Sequence, residues 1–181
     1  MGRKVKRALI LDRDGVINED GDYLYRCEDF RFIPGIFPLC RLAQEKGYML
    51  IAVTNQSGIA RGYYSEADFD AVNRWMCSAF EAQGVHLDKV YYCPYHPKGK
   101  IREYRADSFD RKPNPGMFLR ASEELGLDMK ACITIGDRDS DMAAGRAAGV
   151  GKLLLLPGIY PYTSAADVKI LSELLEAEAF L

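Results

Sequence analysis

Short apolar runs alternate with longer amphipathic stretches along this chain. ALIL (8–11), MLIAV (49–53), KVYYC (89–93), CITI (132–135) and KLLLL (152–156) are too short for helices and lack polar alternation. Such runs predict strands buried on both faces, as in a parallel sheet covered by helices. The segments between them carry helical periodicity. One runs from about Phe37 to Lys46 and stops at Gly47; another starts at Ser65 as N-cap and ends near Gln83. A third starts with Asn114 as N-cap and Pro115 at the first helical position, and ends near Gly126. A fourth spans about Ser140 to Ala148, and the tail AADVKILSELLEAEAF reads as a final helix. Val72, Trp75, Met76 and Phe80 share one face of the second helix and are expected in the core. This order predicts an α/β chain with a doubly wound, mostly parallel, Rossmann-like sheet.

In such sheets ligands bind beyond the carboxyl ends of the strands. The first strand runs into Asp12-Arg13-Asp14-Gly15 and the second into Thr54-Asn55-Gln56-Ser57-Gly58. A long loop, about 94–112, follows the third and ends on Arg111 and Lys112; the fourth runs into Gly136-Asp137-Arg138-Asp139-Ser140-Asp141. Pro157-Gly158 after the fifth carries no evident chemistry. Four consecutive strands thus deliver acids, a hydroxyl and a cation to one edge.

Composition narrows the partners. The chain has 181 residues, enough for one domain (1–181), and is 48% apolar with a net charge of −2. That balance argues against a nucleic-acid or membrane binder. No apolar run approaches the ~20 residues of a membrane span. The opening MGRKVKRALIL has too short an apolar part for a secretory leader, and Lys6 stands where an N-myristoylation signal has Ser or Thr. Five scattered cysteines (27, 40, 77, 93 and 132) suggest reduced thiols and a cytoplasmic location. Nothing in the pattern demands a partner subunit, so a monomer is expected.

Asp12 and Asp137 would repel each other unless a hard cation lay between them. Mg²⁺ fits, because it prefers oxygen ligands and also accepts a phosphate oxygen. Thr54 can donate to a second phosphate oxygen, and Lys112 or Arg111 can neutralise the rest. Asp12 can then attack the phosphoryl group to form an aspartyl-phosphate, while Asp14 protonates the leaving alcohol and later activates water. Gly15 lets the chain turn away without a Cβ.

D-x-D-G-[TV], then Thr after the second strand, then Lys, then G-D-x-x-x-D, resembles the haloacid dehalogenase (HAD) superfamily of phosphatases. LDRDGVIN, VTNQSGIARG, YYCPYHP and RKPNPGM resemble its heptose-bisphosphate phosphatases over nearly the whole chain, fading after about Pro157. Histidinol-phosphate phosphatases are similar too. The resemblance implies a HAD-like fold and a Mg²⁺-dependent phosphomonoesterase for a small anionic phosphosugar. It implies Asp12 as nucleophile, Asp14 as acid/base, and Mg²⁺ on Asp12, Asp137 and the main-chain carbonyl of Asp14. Thr54 and Lys112 would stabilise the transferring phosphoryl group, and Arg111 would recognise substrate. Arg13, Asp20, Gly21, Asp22, Tyr23, Asn55, Gln56, Ser57 and Arg138 would line the sugar-phosphate pocket. The insert that begins NEDGDYLYR, about 18–33, would be a flap, with no large cap domain.

Many superfamily members of this type carry a zinc in the loop before Arg111, on C-x-H and C-x-C. Here only Cys93 keeps a ligand position; His96 is displaced by one residue, and Ser108-Phe109-Asp110 replaces the second half. Tetrahedral zinc needs four good ligands, so zinc is not expected. Packing of Tyr95, Tyr104 and Phe109, or hydrogen bonds, must hold the loop instead. Between Pro97 and Lys112 it carries six Lys/Arg against three acids, which suits an anionic substrate. Asp139 is expected to cap a helix, and Asp141 to touch the metal or brace Lys112. Two other readings use the same scaffold. A phospho-receiver domain needs an aspartate after the third strand, where this chain has Cys93-Pro94-Tyr95. An inactive binding protein would have lost core groups that are all present here.

Overall fold

Neighbouring residues of the first strand bury against different helices. The computed structural model describes residues 5–181; residues 1–4, and with them the start of the N-terminal stretch discussed above, lie outside the described residues. In β1 (Ala8–Leu11), Leu9 and Leu11 join one apolar cluster while Ala8 and Ile10 join another. The two-residue period of a strand produces that split, and it makes a sheet covered on both sides. The first cluster takes Ile36, Leu39, Cys40 and Ala43 of α1 (Ile36–Glu45) and Val72, Met76 and Phe80 of α3 (Glu66–Ala82). The second takes Met117, Phe118 and Ala121 of α4 (Gly116–Leu125) and Met142 and Ala144 of α5 (Asp139–Ala147).

The sheet has six strands in the order β3-β2-β1-β4-β5-β6, all parallel. The others are β2 (Met49–Asn55), β3 (Lys89–Cys93), β4 (Ile133–Gly136), β5 (Lys152–Leu155) and β6 (Val168–Ile170). The order reverses at β1, so a crevice opens outside its carboxyl end, between the loops that leave β1, β2 and β4.

Several elements differ from the sequence pattern. The tail is not one helix. Val168–Ile170 adds a parallel edge strand to β5, and a 3₁₀ helix at Leu174–Phe180 lays Leu174 and Ala177 on α1. The exposed edge of β5 offers backbone partners that outweigh the helical propensity of the tail. A short helix, α2 (Ser57–Arg61), which the periodicity did not predict, begins one residue after the end of β2. The α4 helix starts one residue later than expected, with Pro115 rather than Asn114 as cap; the Asn114 amide donates instead to Ser108 O at 3.1 Å. Trp75 is 39% exposed, not core. Its ring stacks on Phe32 and lies 5.3 Å from Phe30, so it seats the 18–33 segment on α3.

That segment leaves the body through a narrow neck. Glu19 N–H donates to Arg31 O at 2.8 Å and Ile33 N–H to Ile17 O at 2.9 Å. The 94–112 loop is pinned to α3 by Glu66, which accepts from Tyr92 and Tyr104 hydroxyls at 2.8 and 2.7 Å. The Tyr95 ring lies 5.9 Å from Tyr104, but Phe109 is 63% exposed and does not pack as expected. His96 Nε2 lies 3.3 Å from Arg61, and Asp110 pairs with Arg120.

Candidate active site

Asp12 is the first residue past β1, and its N–H extends the ladder to Ile135 O at 2.9 Å. Its Oδ1 accepts the Arg13 N–H at 2.7 Å and pairs with Lys112 Nζ at 2.9 Å. Oδ2 has no protein donor among the described residues. Lys112 reaches the site from the end of the 94–112 loop. Its ammonium also meets Asp141 Oδ1 at 2.5 Å and donates to Val53 O at 2.8 Å. Asn55 sets the lysine's main chain: its amide donates to Lys112 O and accepts Lys112 N–H, both at 3.0 Å. Burial opposes the Lys112 charge, but Asp12 and Asp141 outweigh it and raise its pKa.

Asp137 has no solvent exposure, and neither carboxylate oxygen accepts a hydrogen bond from any of the described residues. The nearest cationic group is Arg138 Nε, 3.7 Å away. Burial, then Asp141, pushes the Asp137 carboxyl up to about 7. Burial and the neighbouring acids also raise Asp12 well above the carboxylate range. Asp12, Asp137 and Asp141 each offer an oxygen within 4.8 Å of the others. Three buried carboxylates share one lysine. Uncompensated buried charge is costly, and a hard divalent cation on these oxygens removes the cost. The donor set is all oxygen, so these residues fit Mg²⁺.

Two glycines allow the acids to approach. A Cβ on Gly15 would stand 2.3 Å from Asp137 Oδ2, and Gly15 has φ +91°. A Cβ on Gly136 would stand 2.2 Å from Asp141 Cβ. The N–H groups of Val16, Ile17 and Asn18 all converge on the Arg13 carbonyl, so none takes the Asp14 carbonyl.

The Asp14 carboxylate lies outside the acidic triad. It accepts from Arg13 Nε and Nη2 at 3.1 and 2.9 Å, from Asn18 Nδ2 at 3.0 Å and from Gln56 Nε2 at 3.1 Å. Arg13 is 1% exposed, donates to Leu24 O and faces the Phe69 ring. Its guanidinium therefore holds Asp14. Asn55 and Gln56 likewise hydrogen-bond to protein groups.

These groups open onto a pocket of about 370 Å³. It is lined by Asp12, Asp14, Thr54 and Lys112 and by every residue expected at the sugar-phosphate pocket: Arg13, Asp20, Gly21, Asp22, Tyr23, Asn55, Gln56, Ser57, Arg111 and Arg138. Arg138 donates to Asp20 Oδ2 at 2.8 Å and lies 3.6 Å from the centre of the Tyr160 ring. Tyr160 comes from the loop after β5, which had shown no evident chemistry. In the same loop the Thr163 N–H donates to Asp139 at 3.0 Å, so Asp139 ties down that loop instead of capping its helix. The N-terminus of α5 is capped by Asp141, which accepts the Arg138 N–H at 3.0 Å. Arg111 donates only a long contact to Tyr95 O, at 3.4 Å. Burial, together with Arg61 and Arg138, lowers its pKa. Asn18, which holds Asp14, ended the LDRDGVIN stretch but was not singled out there, and nothing local marked Tyr64 or Tyr160, which also line the pocket.

A HAD-hydrolase-like family model matches residues 109–175. A Burkholderia mallei protein named D-glycero-alpha-D-manno-heptose-1,7-bisphosphate 7-phosphatase is 51% identical over 83% of this chain and 79% of its own length. The beta-anomer counterpart of Vibrio cholerae is 45% identical over 90% and 87%. Among solved structures, D,D-heptose 1,7-bisphosphate phosphatase from B. bronchiseptica, complexed with magnesium and phosphate, superimposes with a TM-score of 0.82. It is 25% identical and covers 97% of both chains.

Proposed function

The chain belongs to the HAD-like hydrolases, and on that premise we propose that it removes the 7-phosphate of D-glycero-D-manno-heptose 1,7-bisphosphate, using Mg²⁺ and an aspartyl-phosphate on Asp12. One observation carries the chemistry: among the described residues, three buried carboxylates stand around a single lysine, with both Asp137 oxygens unpartnered. The names of the Burkholderia and Vibrio relatives support the sugar. Arg111 and Arg138 on the pocket wall suit a substrate with a second phosphate.

Asp12, Asp137 and Asp141 would hold the ion, with the Asp14 carbonyl beside them. When bound, Mg²⁺ supplies positive charge that holds a phosphoryl oxygen and offsets the acids. The Asp12 Oδ2, free of protein donors, attacks phosphorus in line with the ester oxygen, and the P–O ester bond breaks. Lys112 and the Thr54 hydroxyl stabilise the charge on the transferring group. Asp14 gives its proton to the departing sugar oxygen. It then takes a proton from water, whose oxygen attacks the phosphoaspartate, releasing phosphate and restoring Asp12. Only two protein–phosphate steps are needed, each easier than direct hydrolysis.

The test is phosphate release from both anomers of the heptose bisphosphate and from histidinol phosphate, with Mg²⁺ and with EDTA. We expect Mg²⁺-dependent turnover with kcat/KM at least ~10-fold higher on a heptose bisphosphate. Equal or reversed preference would remove the sugar assignment and leave the phosphatase. Undiminished activity in Asp12→Asn would show that the nucleophile lies elsewhere.

A further inference from the structure

One side-chain amide touches both the proton-transfer acid and the phosphate-binding hydroxyl. Gln56 Nε2 donates to Asp14 Oδ2 at 3.1 Å and to Thr54 Oγ1 at 2.8 Å. An amide nitrogen has two hydrogens, so both are engaged. The amide's other end accepts the Tyr64 hydroxyl at 2.6 Å. Gln56 is 1% exposed and Tyr64 8%. The reverse orientation would set the amide oxygen against the Asp14 carboxylate and leave the Tyr64 hydroxyl facing an N–H donor. Tyr64 reaches this position only because residue 58 is glycine. A Cβ there would stand 2.1 Å from the Tyr64 ring. With its oxygen already accepting from Gln56, the Thr54 hydroxyl keeps its own hydrogen for another acceptor, and no protein group among the described residues takes it.

We propose that Gln56 and Tyr64 form a positioning relay: Tyr64 fixes the Gln56 amide, which in turn aims the Thr54 hydroxyl hydrogen at the phosphoryl group and holds Asp14 for proton transfer. Neither residue need touch the substrate for this. The proposal rests on the phosphatase reading above.

Tyr64→Phe removes the hydroxyl and keeps the ring. Kinetics on heptose bisphosphate and on p-nitrophenyl phosphate, whose leaving group needs no proton, separate the two arms of the relay. The expected result is a fall in kcat of about 10-fold on the sugar phosphate, with KM little changed. The fall on p-nitrophenyl phosphate, read in single turnover as the rate of nitrophenolate release, is smaller: Asp14 gives no proton in that step, so only the Thr54 arm matters, and its activation of water comes afterwards. In a Gln56→Ala background, Tyr64→Phe costs nothing further, since the relay is already broken. Losses that multiply, or equal losses on the two esters, overturn the proposal. A second readout needs no turnover. The Gln56 side-chain amide protons are protected from exchange in the parent protein and lose that protection in Tyr64→Phe; unchanged exchange overturns the relay. If the parent hydrolysed neither ester, the phosphatase reading would fall by itself, and amide exchange would still decide the geometry.

Discussion

Lys112 Nζ lies 2.9 Å from Asp12 Oδ1 and is almost wholly buried. Among the described residues the lysine is the sole ammonium beside the three acids, so it governs both the fold of the site and the charge on the nucleophile. Replacing it by methionine keeps the length and removes the charge. Lys112→Met should lower kcat by roughly 10²–10³. It should also cost about 3 kcal/mol of stability in EDTA, by stranding Asp12 and Asp141. Steady-state kinetics and urea unfolding with and without Mg²⁺ check both; a variant within twofold of the parent in kcat would contradict the role.

The pH dependence of the metal-free protein should run against the usual acid-denaturation trend. A carboxyl whose pKa is raised by folding binds its proton more tightly when folded, so it favours folding at low pH. That contribution is lost as pH rises between the ordinary 3.8 and about 7 for Asp137. His96 opposes it, because burial, then Arg111, lowers its pKa. The Tm difference between the parent and Asp137→Asn in EDTA cancels the histidine. The parent should lose several degrees relative to the variant between about pH 5 and pH 7.5, and Mg²⁺ should restore them. A constant difference would mean that Asp137 is not uncompensated.

Gly15→Ala tests the closeness of the turn to the metal acids. An alanine at φ +91° is strained by about 1–2 kcal/mol, and its Cβ would stand 2.3 Å from Asp137 Oδ2. Asp137 must shift. The expected outcome is a Mg²⁺ requirement raised at least ~10-fold in a folded protein. Mg²⁺ titration of activity, with circular dichroism as the folding control, measures it.

Arg138 bridges Asp20 of the flap to the Tyr160 ring at the pocket rim. If it also meets the second phosphate, Arg138→Ala should raise KM on the bisphosphate by roughly 10-fold with kcat within about twofold. A monophosphate substrate should show little change. Equal effects on the two substrates would place Arg138 in the general fold of the rim.

Much of this could be read along the chain. β1 to β5 announced themselves as short apolar runs, because a strand buried on both faces leaves no polar alternation. Asp12, Asp14, Thr54 and Asp137 were legible as residues just past apolar runs, and Lys112 as the end of the loop that follows the third; parallel topology brings such ends to one edge. Within local reach, Ser65 caps α3 as expected, and Asp68 completes the capping box.

Tertiary structure decided the rest, for reasons of reach. Val168–Ile170 became a strand only because β5 lay beside it with unpaired backbone groups. Arg13, Asn55 and Gln56 line the pocket, as their positions suggested. Their partners (Asp14, the Lys112 backbone, and Tyr64 with Thr54) depend on where a side chain points once neighbouring loops converge. Tyr160 meets Arg138 through the return of a loop with no motif of its own. Residue types and their spacing set which chemistry was on offer; burial and through-space approach set which atoms hold, orient and react, because hydrogen bonds and charge act over a few ångströms of space and not along the chain.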